Sequence, residues 1–168
     1  ETDQLTAVEK ARGWQLLFDG EKAIGLRGFK KAGMPEKGWV IKDGLLTLLT
    51  QGAGGDLASI EEYGDFEFSC QWRVASGGNS GVMYRCSEEF TYPWETGPEM
   101  QILDDGNHRD GKNPKTRSGT LYDLVERSAD VSRPAGEWNT AVARVKGTRI
   151  VHELNGVVVV DVDTSSKE

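Results

Sequence analysis

The sequence predicts an all-β domain, on three observations. Gly accounts for 21 of 168 residues, well above the roughly 7% of an average chain. Those glycines interrupt short apolar runs rich in Val, Ile, Trp and Tyr, the pattern of strands bounded by turns. Asp-Gly and Asn-Gly pairs recur between the runs, and they supply the positive-φ residues that a tight hairpin needs.

The elements follow in order. Thr6 with Glu9 three residues later forms a capping-box pattern, and Gly13 supplies the stop, so a short N-terminal helix of about two turns is expected. Trp14 to Phe18 reads as a strand ending at Asp19-Gly20, and Trp39 to Ile41 turns at Asp43-Gly44 into Leu45 to Leu49. Phe66 to Val74 alternates strictly, with Phe66, Phe68, Cys70, Trp72 and Val74 on the buried side. If Ser76 to Asn79 is the loop to the next strand, matching apolar faces pairs Trp72 with Tyr84, Cys70 with Cys86 and Gln71 with Arg85. Trp138 to Val145, Arg149 to Leu154 and the run from Val157 make a meander turning at Lys146-Gly147 and Asn155-Gly156, with Leu154 opposite Val157 and His152 opposite Val159. No repeat and no linker-like break divides the chain, so one domain over 1–168 is expected.

Charge and hydropathy narrow the partners. Lys+Arg 20 against Asp+Glu 27 gives a net charge of −7, which leaves no basic footprint for nucleic-acid phosphates or anionic lipid. No stretch approaches the roughly 18 apolar residues of a spanning helix; the longest aliphatic run is Val157 to Val160. A start at Glu1 without a leader fits a mature secreted or periplasmic product, or a trimmed chain. Two cysteines, Cys70 and Cys86, lack metal or redox spacing and read as reduced core thiols, with a single bridge as the alternative.

The segment Gly97-Pro98-Glu99-Met100-Gln101-Ile102-Leu103-Asp104 carries the most chemistry. Alternation buries Met100 and Ile102, and a bulge near Leu103 would return Asp104 to the face of Glu99 and Gln101. Two carboxylates flanking an amide suit glycosidic chemistry. The spacing resembles the catalytic strand of laminarinase-type glucanases, with Gln101 in place of an Asp and Asp104 in place of the second Glu. Phe90, Tyr92 and Trp94 precede it, and flat rings on a loop suit stacking on sugar. Asp104 and His108 bound an oxygen-rich loop that suggests a divalent cation, although EF-hand spacing is absent. His152 shares a face with Ile150 and Leu154 and reads as a satisfied, semi-buried histidine. No serine-hydrolase, zincin or P-loop motif occurs.

Taken together, several strings resemble one family: Gly13-Trp14-Gln15-Leu16-Leu17-Phe18-Asp19-Gly20, Tyr63-Gly64-Asp65-Phe66, Trp72-Arg73, Gly78-Asn79-Ser80-Gly81, Tyr84-Arg85, the Glu99 segment above, Gly119-Thr120-Leu121-Tyr122-Asp123, Gly136-Glu137-Trp138-Asn139 and Leu154-Asn155-Gly156. The chain resembles the 3-keto-disaccharide hydrolase family from about Leu5 to Val160. The resemblance implies a concanavalin A-like jelly-roll sandwich of two antiparallel sheets that holds carbohydrate on a concave face.

It also implies a chemistry. A ketone at C3 acidifies the C2 proton, so a base can expel the C1 group by β-elimination, and water addition completes a net hydrolysis. Glu99 or Asp104 would be the base, beside Gln101. Arg85, Arg73 or a divalent ion on Asp104 and His108 would steady the oxyanion. Gln71, Asn79, Trp94 and Tyr122 would line the substrate. Relatives often carry Glu where Gln71 stands, and they continue past the Asn-Gly hairpin into a closing strand, which this chain is expected to lack. A non-catalytic carbohydrate-binding module on the same sandwich is the main alternative. A retaining glucanase is the lesser one, since the second Glu is missing.

Overall fold

The computed structural model of the chain describes residues 3–49 and 54–165. Glu1 and Glu168, on which the leader and closing-strand expectations rest, lie outside the described residues. Two compact units form, residues 1–62 and 63–168, where the sequence reads as one domain.

In the first unit, α1 (Ala7–Ala11) carries the expected capping box, the Thr6 side chain accepting from Glu9 N–H and the Glu9 carboxylate accepting from Thr6 N–H. It is shorter than the expected two turns. Gly13 at φ 83° ends the turn that follows. β1 (Leu26–Gly28) pairs with β4 (Leu57–Ser59), and β2 (Trp39–Lys42) with β3 (Leu45–Leu48). Asp43 and Gly44, at φ 53° and 74°, make the predicted hairpin turn. Trp14 to Phe18 is not a strand. Leu17 O accepts Gly25 N–H, and the segment belongs to none of the ladders formed by the described residues.

The second unit is a sandwich. β5 (Phe66–Trp72), β8 (Asn139–Lys146), β9 (Arg149–Leu154) and β10 (Val157–Asp163) form an antiparallel sheet ordered β10-β9-β8-β5. β6 (Asn79–Met83) pairs with β7 (Glu99–Leu103) in a second sheet. Trp72, Ala141, Ala143, Leu154 and Val159 from the first sheet pack on Met100, Ile102 and Val82 from the second, which is the core between them. The all-β sandwich read from the sequence is the observed architecture. Among the described residues no helix is long and apolar enough to cross a membrane.

Two pairings differ from expectation. β5 lies against β8, so Cys70 faces Ala141 and Gln71 faces Thr140, while Cys86 falls beyond β6. Cys70 and Cys86 are not bridged, and burial pushes the Cys70 thiol up to about 11. Matching apolar faces alone cannot tell a hairpin partner from a strand arriving later in the chain. Asn155 and Gly156, at φ 50° and 83°, form the tight turn, and Leu154 faces Val157 as expected. A bulge between Val158 and Val160 then puts His152 opposite Val160 and turns both Val159 and Val160 inward.

His152 is fully buried rather than semi-buried. A carbonyl can only accept, so Nδ1–H donates to Gly119 O (3.1 Å) and Nε2 accepts from Tyr84 O–H (2.8 Å). Burial favours this neutral ring and lowers its pKa to about 4. The unfolded chain, titrating near pH 6.5, therefore binds more protons than the folded one below that pH. The contribution is fully present above pH 6.5 and is lost as pH falls through 6.5 toward 4. Its loss should cost about 3 kcal/mol. Thermal unfolding followed from pH 7.5 to 4.5 should show this slope, and His152→Gln should flatten it. An equally steep slope in the variant would assign the titration to other groups.

Candidate functional site

β7 runs between β6 and the segment 119–122, which extends the second sheet. Gln101 N–H donates to Thr120 O, Gly119 N–H to Gln101 O, and Tyr122 N–H to Glu99 O, at 3.2, 2.8 and 2.9 Å. Residues paired across antiparallel strands share a face. Met100, Val82 and Leu121 thus turn to the core, while Glu99, Gln101, Asn79, Gly81, Met83 and Tyr122 turn away from it.

On that face Glu99 lies across the neighbouring strand. A methyl added at Gly81 would stand 2.6 Å from Glu99 Cδ and 2.7 Å from its Cγ, so the carboxylate occupies the space that the missing side chain leaves. Tyr122 completes the group. Its hydroxyl donates to Asp110 Oδ2 at 3.3 Å, and burial together with the negative charges of Asp110, Glu99 and Asp123 raises the phenol above its usual value. The phenol stays protonated beside a carboxylate. Asp110 sits on the short 3₁₀ turn Arg109–Lys112. Its N–H donates to His108 Nδ1 at 3.2 Å, and its Oδ1 lies 3.4 Å from Arg109 Nε.

The other expected site residues are dispersed. Gln101 shares the Glu99 face but is buried, its Oε1 accepting from Ile102 N–H at 2.9 Å, instead of lining an open surface. The β6–β7 register is unbroken from Asn79 opposite Leu103 to Met83 opposite Glu99. The expected bulge at Leu103 is therefore absent and does not return Asp104 to the Glu99 face. Asp104 instead accepts from Gly77 N–H (2.7 Å), Asn107 Nδ2 (2.8 Å) and Gly106 N–H (3.2 Å), which holds its carboxyl below the ordinary value and ties two loops together.

The expected cation ligands have the following surroundings. Asp104 accepts from three donors, and His108 Nδ1 accepts from Asp110 N–H. Among the described residues no cluster of three or more His, Cys, Asp or Glu side chains is placed to hold a metal. The shallow groove beside Asp104 is walled by Asp105, Ser132 and Arg133 and does not include Glu99. Asp105 there pairs with the buried Arg127 at 2.7 Å.

Gln71 and Arg73 belong to the other side of the sandwich. Gln71 stands on the outer face of the four-stranded sheet, and the Arg73 guanidinium lies 4.9 Å over the Trp138 ring. Arg85, at φ 56°, donates to Gly147 O at the β8–β9 turn. Asn79 is exposed at the opposite end of the Glu99 face. Trp94 lies on the 3₁₀ turn Pro93–Glu95, is 55% exposed, and stacks on Tyr92 with ring centres 4.2 Å apart. Sequence reading missed Gly81 and Asp110 as site residues. The signal for Gly81 was a glycine inside a strand-forming string, which marks a close approach; for Asp110 there was none beyond its place in an acidic loop.

With that geometry in view, similarity can be weighed. Residues 13–168 match the model of the 3-keto-alpha-glucoside-1,2-lyase-like domain. The chain is also 34% identical over 176 residues to a 3-keto-disaccharide hydrolase of Bacteroides thetaiotaomicron, covering 92% of this chain. The chain belongs to this family. It spans about 60% of the length of that curated relative. Among solved structures, a candidate glycosyl hydrolase of Parabacteroides distasonis superposes on this 3-keto-alpha-glucoside-1,2-lyase-like domain with a TM-score of 0.87 and 29% identity, over 99% of this chain and 79% of that one. A second candidate glycosyl hydrolase from the same organism has a TM-score of 0.63 at 20% identity, over 86% of this chain and 63% of that one, a likeness of fold.

Proposed function

We propose that this domain cleaves the glycosidic bond of 3-keto-glycosides by elimination and water addition, with Glu99 as base and Tyr122 as the donor to the C3 oxygen. The observation that carries this reading is the Glu99 carboxylate laid over Gly81, on the same sheet face as a Tyr122 phenol kept protonated. A base and a neutral donor side by side are what enolate formation needs.

The C2–H bond breaks with its proton passing to Glu99, and the electron pair moves to the C3 oxygen, where Tyr122 O–H donates to the enolate. The enolate then expels the C1 oxygen, which takes a proton from water. The resulting hydroxide adds at C1 and Glu99 returns a proton to C2, so the balance is one water consumed. The resting Tyr122–Asp110 bond, at 3.3 Å, is long enough to be exchanged for a substrate oxygen. The exposed Tyr92–Trp94 stack offers apolar ring surface for a sugar or its leaving group.

The test is product release from a 3-keto-glucoside and from its unoxidised parent. Cleavage confined to the keto sugar is expected. Equal cleavage of the parent would point to an ordinary glycosidase, and binding without cleavage to a carbohydrate-binding module.

A further inference from the structure

We propose that Asp110 is a positioning residue that holds the Tyr122 ring and phenol oxygen in place for the keto sugar. The inference rests on the reading of Glu99 and Tyr122 given above. Asp110 stands twelve residues before Tyr122, and the backbone between them is already fixed without its carboxylate. Gly111 N–H donates to His108 O, Thr116 Oγ1 to Asp110 O, Arg117 Nε to Gly111 O, and Asp123 N–H to Lys115 O. The carboxylate itself meets Tyr122 O–H, the largely exposed Arg109, and His108, whose Nδ1 lies 3.8 Å from Oδ2. The fold is held by main-chain and hydroxyl contacts, which leaves the carboxylate to act on the phenol.

Two effects follow. As acceptor in the resting site, Asp110 holds the phenol oxygen of a ring whose backbone is bonded to Glu99, so the phenol and the base are kept in one relative geometry until the substrate oxygen takes over the hydrogen. As an anion, it opposes ionisation of the phenol, together with Glu99 and Asp123; Arg109 and His108 are the other ionisable groups facing Asp110. The first effect concerns rate and the second the upper pH limit of activity.

The experiment compares Asp110→Ala, Asp110→Asn, Tyr122→Phe and the Asp110→Ala/Tyr122→Phe double variant on a 3-keto-glucoside. Asp110→Ala should lower kcat by about 10- to 100-fold, the cost of a misplaced group, with KM changed less than about threefold. In the Tyr122→Phe background the same change should cost nothing further, because Asp110 acts through the phenol. Asp110→Asn keeps an acceptor and should recover most of the rate, while its high-pH limb moves down because a charge opposing ionisation has gone. Additive losses in the double variant, or an unmoved limb in Asp110→Asn, would overturn the proposal. Ultraviolet titration of the Tyr122 phenol, taken as the difference from Tyr122→Phe, reads the same coupling without substrate. A lower phenol pKa in Asp110→Asn with no keto-sugar cleavage by the wild type would retain the Asp110–Tyr122 link and sink the functional reading. Normal cleavage with an unmoved titration would sink only the link.

Discussion

Replacing Glu99 with Gln is expected to lower turnover of a 3-keto-glycoside by about 10²- to 10⁴-fold, the range that a positioned general base contributes. The change is nearly isosteric. The main-chain bond from Tyr122 N–H to Glu99 O does not involve the side chain, so the sheet should remain intact. What disappears is the capacity to take the C2 proton. Substrate affinity should move little, since an amide can still hydrogen-bond a sugar hydroxyl, and kcat and kcat/KM should fall together. Near-normal turnover in a folded Glu99→Gln variant would remove Glu99 from the chemistry.

Gly81→Ala should have the second largest effect, through displacement rather than deletion. The added methyl would stand 2.6 Å from Glu99 Cδ and 2.7 Å from Cγ, so the carboxylate has to swing off the strand. A shift of roughly 1 Å in a reacting group costs on the order of 10²-fold in rate. Gly81 is absent from the positive-φ positions, so Ala adds no backbone strain, and the melting temperature should change little. A large activity loss at nearly constant stability is the expected signature. Full activity in Gly81→Ala would mean that the carboxylate works from another rotamer.

The fold was largely legible because its signals are local. The Asp43-Gly44 and Asn155-Gly156 pairs, the alternation of Phe66 to Trp72 and the β8–β9–β10 meander all depend on neighbours within a few residues. The failures are non-local. Matching faces pairs β5 with the strand that follows it, but after β5 the chain crosses to the opposite sheet, and β5 finds β8 some seventy residues on. That one topological fact moves Gln71 and Arg73 to the far face and separates Cys70 from Cys86. The bulge facing His152 was hidden because Val157 to Val160 presents the same side chain in every register.

The site divides along the same line. Alternation placed Glu99 opposite the core, and Tyr122 was named through resemblance to the family. Asp104 carries the same carboxylate as Glu99, yet its neighbours supply three donors that turn it into a loop tie. Nothing in residue type or spacing announces that difference. Asp110 came to light only because the 104–116 loop folds back onto Tyr122, and Gly81 only because Glu99 lies over it.

The central claim, that Glu99 moves the C2 proton, is tested most directly by running the reaction on a 3-keto-glucoside in deuterium oxide and following C2 of the released sugar by proton NMR. Glu99 is partly exposed, and the proton of an exposed carboxylic acid exchanges rapidly with water. Wild-type protein should therefore deliver product deuterated at C2, faster than the same keto sugar exchanges alone or with Glu99→Gln. Product released at the wild-type rate with its C2 proton retained would contradict the elimination route.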